Sequence, residues 1–258
     1  MMKRWTLEPI TRTPAARYTV AGALVGVTLV LLTLLPVTYK DWADTFRPAA
    51  LHWPTPYFQP GLIFNPPWLF PALYPIALLP ERLGAGLLML LSLAVLGVYL
   101  GSPKKFLVVV FSAPMITLFT LGQIDVLMLL GLMIPGGLGL PILLVKPQGV
   151  FLAALRRINR RSVAVTAAVV VLSVAGWGFW WQKIIGYDPN AVHNNNVSIF
   201  PYGVLAGIVL LYYGLKRNSD AMLCFASLCL TPYFMITSML PALAALVRET
   251  DDRRWWAA

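Results

Sequence analysis

Charge is scarce in this chain, and negative charge is scarcest: ten Asp and Glu stand against twenty Lys and Arg in 258 residues, with only two His and two Cys. So few carboxylates leave little choice of general base. The two histidines, His52 and His193, have no spaced carboxylate or cysteine partners, so no metal or other cofactor is expected. Cys224 and Cys229 lie inside one apolar run and read as buried thiols rather than a disulfide. The chain has no Gly-rich phosphate loop, no H-E-x-x-H pair and no Ser nucleophile elbow, which argues against soluble nucleotide chemistry.

What is abundant is apolar surface. Hydrophobic residues make up 59% and charged residues 12%, and the mean hydropathy is +0.73. Too little polar surface remains to cover a soluble domain, so the expected solvent is lipid. The fold class predicted is an all-α, polytopic cell-membrane protein of about eight to ten transmembrane or half-membrane helices, at about 20 residues for each full span. Residues 1–258 read as a single integral membrane domain.

The basic residues fall in short clusters between apolar runs, such as Arg156, Arg157, Arg160 and Arg161. That is the positive-inside pattern, and it points to topology rather than to a nucleic-acid partner. It predicts a cytoplasmic N-terminus (1–17), a retained first span (Tyr18–Val37), extracytoplasmic loops at 38–65 and 182–198, and a cytoplasmic tail (248–258). Simple alternation then takes Pro66–Pro80 back inward to Glu81-Arg82, and Leu83–Gly101 out again. Lys104 and Lys105 then land on the outer side, so either the positive-inside rule is locally broken or one short run is re-entrant. Later runs are short and interrupted at Gly122-Gln123, Lys146-Pro147 and Thr231-Pro232, and broken helices at membrane depth are tolerated where they line a cavity or are buried in protein.

The stretch Thr38–Trp68 draws the most attention, because it holds two of the ten carboxylates, one histidine, three Trp and six Pro. A loop this long is more often functional than idle. Asp41–Trp53 is expected to form a short interfacial helix, with its tryptophans and His52 as membrane-surface anchors. Asp41 and Asp44 are the candidate general bases; the alternative is that they are solvated or paired with Lys40 or Arg47. Asp125 and Lys146 are the clearest intramembrane charges. They form either a mutual ion pair or the lining for an anionic ligand, with Gln123 and Gln148 adding hydrogen-bonding groups nearby.

Taken in order, these elements resemble a known family. Asp41, Phe46, Ala49 and Ala50, then Pro56-Tyr57, Phe64-Asn65-Pro66-Pro67 and Pro75-Ile76-Ala77-Leu78-Leu79-Pro80 look like the first outer loop and second span of the polyprenol-phosphate-dependent mannosyltransferases of the GT-C superfamily (glycosyltransferase family 87). Gly122-Gln123-Ile124-Asp125 is similar to that family's Gly-Gln-x-Asn element, Lys146-Pro147 to its Lys-Pro element, and Thr231-Pro232-Tyr233-Phe234 to its late Ser-Pro-x-Trp break. The resemblance implies a GT-C-like fold and an inverting transfer of a sugar, usually mannose, from a polyprenyl-phosphate donor to an extracytoplasmic acceptor. It makes Asp41 the base, with Asp44 in reserve, and Lys146 with Gln123 the donor-phosphate site. Tyr57, Asn65, Asp125, Gln148 and His193 complete the candidate substrate-binding set. The donor would be a substrate, not a cofactor.

The chain departs from the family pattern at Thr45 and Phe46, where a Tyr pair is usual, at Asn65, where an aromatic is usual, and at Asp125, where Asn is usual. Those departures, with the short length, motivate a second reading: a catalytically degenerate GT-C-like subunit that binds membrane-protein partners and lipid. A small transporter or flippase subunit is disfavoured, because the intramembrane charges are few.

Overall fold

The computed structural model describes residues 39–57, 63–135, 138–182 and 195–250. The expected first span, Asp188 and His193 lie outside the described residues. Among those described, every regular element is helical.

The chain enters on a π-helical turn, Trp42–Phe46, which runs into α1 (Arg47–Leu51). The short helix predicted here is present, with His52 and Trp53 exposed just past its end, but Trp42 is not a surface residue. Trp42 is 0% exposed, and Phe46, Ala49 and Ala50 are buried with it. After α2 (Leu69–Ala77) comes α3 (Glu81–Leu100), which opens behind Pro80 with Glu81 in its first turn and ends at Gly101, whose φ of +64° is the left-handed stop that glycine allows.

Helix α4 (Pro103–Val110) and α5 (Ala113–Leu121) form one bent pair, turned by 65° at Phe111-Ser112. Pro114, in the first turn of α5, has no N–H to continue the ladder of α4. There follow α6 (Val126–Met133), α7 (Leu140–Leu143), a 3₁₀ turn at Pro147–Gly149 and α8 (Phe151–Arg156).

Helix α9 (Arg160–Trp177) begins with a capping box in which Asn159 and Ser162 satisfy each other's backbone N–H groups, at 2.8 and 3.0 Å. The last group is α10 (Val204–Arg217), α11 (Asp220–Leu230) and α12 (Leu240–Glu249). The break expected at Thr231-Pro232 separates α11 from α12, and a 3₁₀ turn at Ile236–Met239 leads into α12.

Among the described residues, two helices are long and apolar enough to cross a membrane, α3 and α9, or three if α4 and α5 count as one bent span. Pro66–Pro80 does not supply another. Its helix has nine residues, about 13 Å at 1.5 Å per residue, less than half the hydrocarbon thickness. Its Pro content is the physical reason: Pro71 and Pro75 each remove a backbone donor, and Pro80 closes the segment.

The direction of α3 follows from its two ends. At its start, a Cβ on Gly84 would lie 3.0 Å from the Trp42 ring. Towards its finish, the Arg248 guanidinium sits 4.5 Å from the centre of the Tyr99 ring. Just beyond, Lys105 Nζ donates to the carbonyls of Arg248 (3.2 Å) and Thr250 (2.9 Å) at the end of α12. Asp220, at the start of α11, pairs with Arg156 and with Arg157, the latter at 2.7 Å. Glu249 accepts from Ser219 Oγ and from Ala221 N.

Lys105, Arg156, Arg157 and Arg248 therefore share one end of the molecule, with Asp220 and Glu249 compensating part of their charge. The Trp42 turn lies at the other end of α3, about 30 Å of helix away. The simple alternation that put Lys104-Lys105 opposite the arginines is thus corrected: α3 runs from the Asp41 end to the arginine end, not the reverse.

Helix α9 joins the same two ends. It starts beside the arginine cluster, and at its finish Trp177 Nε1 donates to the Trp53 carbonyl at 2.7 Å, while Trp180 stacks edge-on against Trp68 at 5.6 Å. It leaves most of its apolar length exposed, including Val163, Val171 and Leu172, and α10 likewise exposes Leu205, Ile208, Val209 and Leu215.

Candidate functional site

Three separate breaks in the helices deliver the polar groups. Asp41 enters at the head of the π turn, two residues after Tyr39, whose φ of 44° is unusual for a side chain with a Cβ. Gln123 follows Gly122, the left-handed stop of α5 (φ +69°). Lys146 precedes the Pro147–Gly149 turn.

The fit between the first two is tight. A Cβ on Gly122 would lie 2.6 Å from Trp42 Cβ, so the backbone carrying Gln123 rests directly on the turn that carries Asp41. Only a glycine meets both the dihedral angle and the close approach.

These side chains form one hydrogen-bonded chain. Gln123 Nε2 donates to Asp41 Oδ2. Lys146 Nζ donates to Gln123 Oε1 at 3.0 Å and to Asp125 Oδ2 at 2.6 Å. The amide of Gln123 is thereby used in both senses, with its oxygen towards the ammonium and its nitrogen towards the carboxylate. Of the two open readings for Asp125 and Lys146, the ion pair is present; Lys146 keeps 12% of its side chain exposed and Asp125 only 1%.

Asp41 is partly buried, and burial pushes its carboxyl above the usual 3.8, against the lowering by Gln123, Lys146 and Lys40. A base that is less acidic than an ordinary carboxylate is better matched to taking a proton from a hydroxyl.

The other sequence candidates divide. Tyr57 and Asn65 brace the site rather than enter it: Tyr57 OH donates to the Asn65 carbonyl at 2.8 Å, and Asn65 Nδ2 donates to the Val145 carbonyl at 2.9 Å, fixing the backbone immediately before Lys146. Gln148 accepts Thr231 Oγ1 on its carbonyl at 3.1 Å, while its side-chain Oε1 is buried with no partner among the described residues. Asp44 is exposed and takes no part in the chain. The turn at Trp42–Phe46 is wider than an α-helical one, so a residue three positions on rotates away from the face of Asp41. His193 lies outside the described residues.

Several contributors carry no motif of their own. Met235 Sδ lies 3.9 Å from Gln123 Nε2, bringing the segment after Thr231-Pro232 over the site. The Gly149 Cα packs against the Ser238 carbonyl with no room for a Cβ. Asn196 receives Phe234 N at 3.3 Å and donates to the Pro232 carbonyl at 3.1 Å, which ties the segment 195–198 to the same cover. The only forewarning of Met235 is its position two residues after the Pro232-Tyr233 pair.

A cavity of about 10 Å³ adjoins Gln123, lined also by Ser92, Leu118, Phe119 and Gly122; that is room for about one water molecule. Among the described residues no three His, Cys, Asp or Glu side chains converge as a metal ion would require. No family model matches the chain, and no curated protein or solved structure matches it.

Proposed function

We propose that the chain is a membrane glycosyltransferase that moves a sugar, mannose on the resemblance, from a polyprenyl-phosphate donor to an acceptor hydroxyl with inversion. The observation that carries the reading is the continuous chain Asp41–Gln123–Lys146–Asp125, in which a partly desolvated carboxylate and an ammonium are held on the two ends of one amide. Carboxylate and cation so placed are complementary to the two ends of a displacement at an anomeric carbon.

In that reaction Asp41 takes the proton of the acceptor hydroxyl as its oxygen attacks the anomeric carbon. The bond from that carbon to the phosphate oxygen breaks, and its electron pair leaves with the lipid monophosphate. Lys146 stabilises the charge gathering on the leaving phosphate. A phosphate leaving group is already anionic and weakly basic, so the step needs no further acid.

The membrane setting is supported by the apolar helices α3 and α9, by the lipid-compatible outer faces of α9 and α10, and by the gathering of basic side chains at one end with tryptophans at the other. A multi-pass, GT-C-like arrangement with its site at the tryptophan end is part of the same proposal. The test is transfer from a polyprenyl-phosphate sugar in proteoliposomes, wild type against Asp41→Asn. Full turnover by a properly inserted Asp41→Asn protein would remove Asp41 from the mechanism.

A second reading, a structural or assembly subunit of a larger membrane complex, is favoured by one observation: Lys146 is already neutralised by Asp125. Purification in mild detergent separates the two. A stoichiometric protein partner together with no affinity for a prenyl phosphate supports the subunit.

A further inference from the structure

We infer that Asp125 sets the charge of the ligand that Lys146 accepts, admitting a singly charged phosphodiester that bears a sugar and rejecting the doubly charged monoester that transfer leaves behind. The inference rests on the glycosyl-transfer reading and assigns a selecting role to a residue to which that reading gives no step.

An ammonium has three donors. Gln123 Oε1 takes one at 3.0 Å and Asp125 Oδ2 a second at 2.6 Å, which leaves one for a ligand oxygen. The partly exposed Lys146 is the approachable member of the pair, and Asp125 lies behind it. A phosphate can therefore reach the ammonium without breaking the ion pair. What it meets is a nearly neutral pair, with the second carboxylate, Asp41, at the far end of the Gln123 amide.

The charge on the ligand then decides the outcome. A prenyl phosphodiester carries one negative charge at neutral pH, and a monoester close to two, because its second proton leaves near pH 6. Repulsion from a buried carboxylate scales with the ligand charge and is little screened by water. Attraction to Lys146 scales in the same way, so the nearly neutral pair returns little for the second charge of the monoester, whose loss of hydration on entering is the larger.

Asp125 is only 1% exposed, so it acts on the ligand through its charge and not by contact. That charge favours the loaded lipid over the spent one, so the site releases product instead of being held by it.

The probes are farnesyl phosphate, a monoester, and its methyl ester, a diester, titrated calorimetrically into the purified protein in detergent. Wild type is expected to bind the diester more tightly. Asp125→Asn is expected to gain on the order of tenfold or more for the monoester and clearly less for the diester; Asp125→Ser, a second neutral variant, is expected to do the same. Adding Lys146→Gln to Asp125→Asn should erase the gain.

Wild-type protein that binds the monoester as tightly as the diester overturns the inference whether or not the variants fold, as does an equal gain for both probes. Binding of neither probe to wild type overturns it together with the donor site. A protein that shows the shifted ratio but transfers no sugar keeps its charge-selecting site and loses the glycosyl-transfer reading. One that transfers sugar with an unchanged ratio loses only the inference.

Discussion

Gly122 and Trp42 touch backbone to side chain: a Cβ on Gly122 would fall 2.6 Å from Trp42 Cβ, and the glycine holds φ at +69°. That contact sets the distance between the loop that carries Asp41 and the helix end that carries Gln123. Gly101 has nearly the same dihedral, +64°, yet no atom lies within 4 Å of its would-be Cβ. The pair therefore separates backbone strain from crowding. Gly101→Ala is expected to cost about 1–2 kcal/mol, the price of a left-handed alanine, and to leave transfer unchanged. Gly122→Ala is expected to lose a further 1–3 kcal/mol or so by overpacking and to lower transfer, because Trp42 and Asp41 must shift. Thermal unfolding of both variants in one detergent reads the difference; equal losses would mean that the Trp42 contact is slack.

Gln123 serves two partners with one amide. Replacement by Leu leaves the Asp41 carboxylate and the Lys146 ammonium each one hydrogen bond short, at about 1–3 kcal/mol for a buried group left unsatisfied. Gln123→Glu is expected to be worse for transfer, since a third carboxylate would stand between Asp41 and Asp125. Denaturation midpoints and initial rates check the two effects independently, and a stable, fully active Gln123→Leu would show that the amide bridge is dispensable.

That Asp41 meets Gln123 and Lys146 was implied by the family resemblance alone, but the meeting of Asp125 with Lys146 was legible in the sequence for a physical reason. Charges are so few in this apolar chain that each buried one must find a partner, and the Gly122-Gln123 and Lys146-Pro147 interruptions mark where helices open to let them meet. The direction of α3 was not legible. Alternation treats every apolar run as a crossing, and Pro66–Pro80 is apolar without being a span-length helix; the contacts at the two ends of α3, Gly84 with Trp42 and Tyr99 with Arg248, reveal its direction. The ranking of Asp41 over Asp44 came from the resemblance, while the π turn that rotates Asp44 away is announced by no residue pattern.

Lys146 and Asp125 illustrate how a buried pair resists half-removal. Lys146→Met leaves an uncompensated carboxylate of 1% exposure, at a cost of about 3–5 kcal/mol. Combining Lys146→Met with Asp125→Leu removes both charges, and the double variant is expected to recover most of the loss, because well-packed apolar replacements of an ion pair are often near neutral. A double-mutant cycle on unfolding free energies measures the coupling. If the two losses simply add, the pair contributes nothing as a pair.

The raised pKa of Asp41 links activity to stability with a definite sign. Its folded-state value lies above the usual 3.8 because burial disfavours the charged form. Folding therefore favours the protonated acid: any stabilisation from this group is complete below pH 3.8 and is lost as pH rises through the folded value. At pH 7 the ionised carboxylate is a burden on the fold and at the same time the form that accepts a proton. Asp41→Asn is expected to unfold at a higher temperature than wild type at pH 7, with the gain shrinking in acid, while transfer falls by about 10²–10⁴-fold. Wild-type kcat/KM should rise with pH along a limb whose midpoint lies above 3.8 and is absent from the variant. A variant less stable than wild type at pH 7 would mean that the bond to Gln123 outweighs the desolvation.

The corrected course of α3 makes a prediction that needs no substrate. Lys104, Arg161 and Arg217 belong to one end of the molecule, and Thr55, beside Trp53 and the tip of α9, to the other. Single cysteines at these four exposed positions, in a background with Cys224 and Cys229 replaced by Ala, are to be labelled in sealed vesicles with a membrane-impermeant maleimide. The three basic-end positions should react together and Thr55→Cys should react from the opposite side. Simple alternation instead puts Lys104→Cys with Thr55→Cys. The two arrangements differ at that one position because α2 has nine residues and a crossing requires about 20, so the labelling of Lys104→Cys alone decides whether Pro66–Pro80 spans the bilayer.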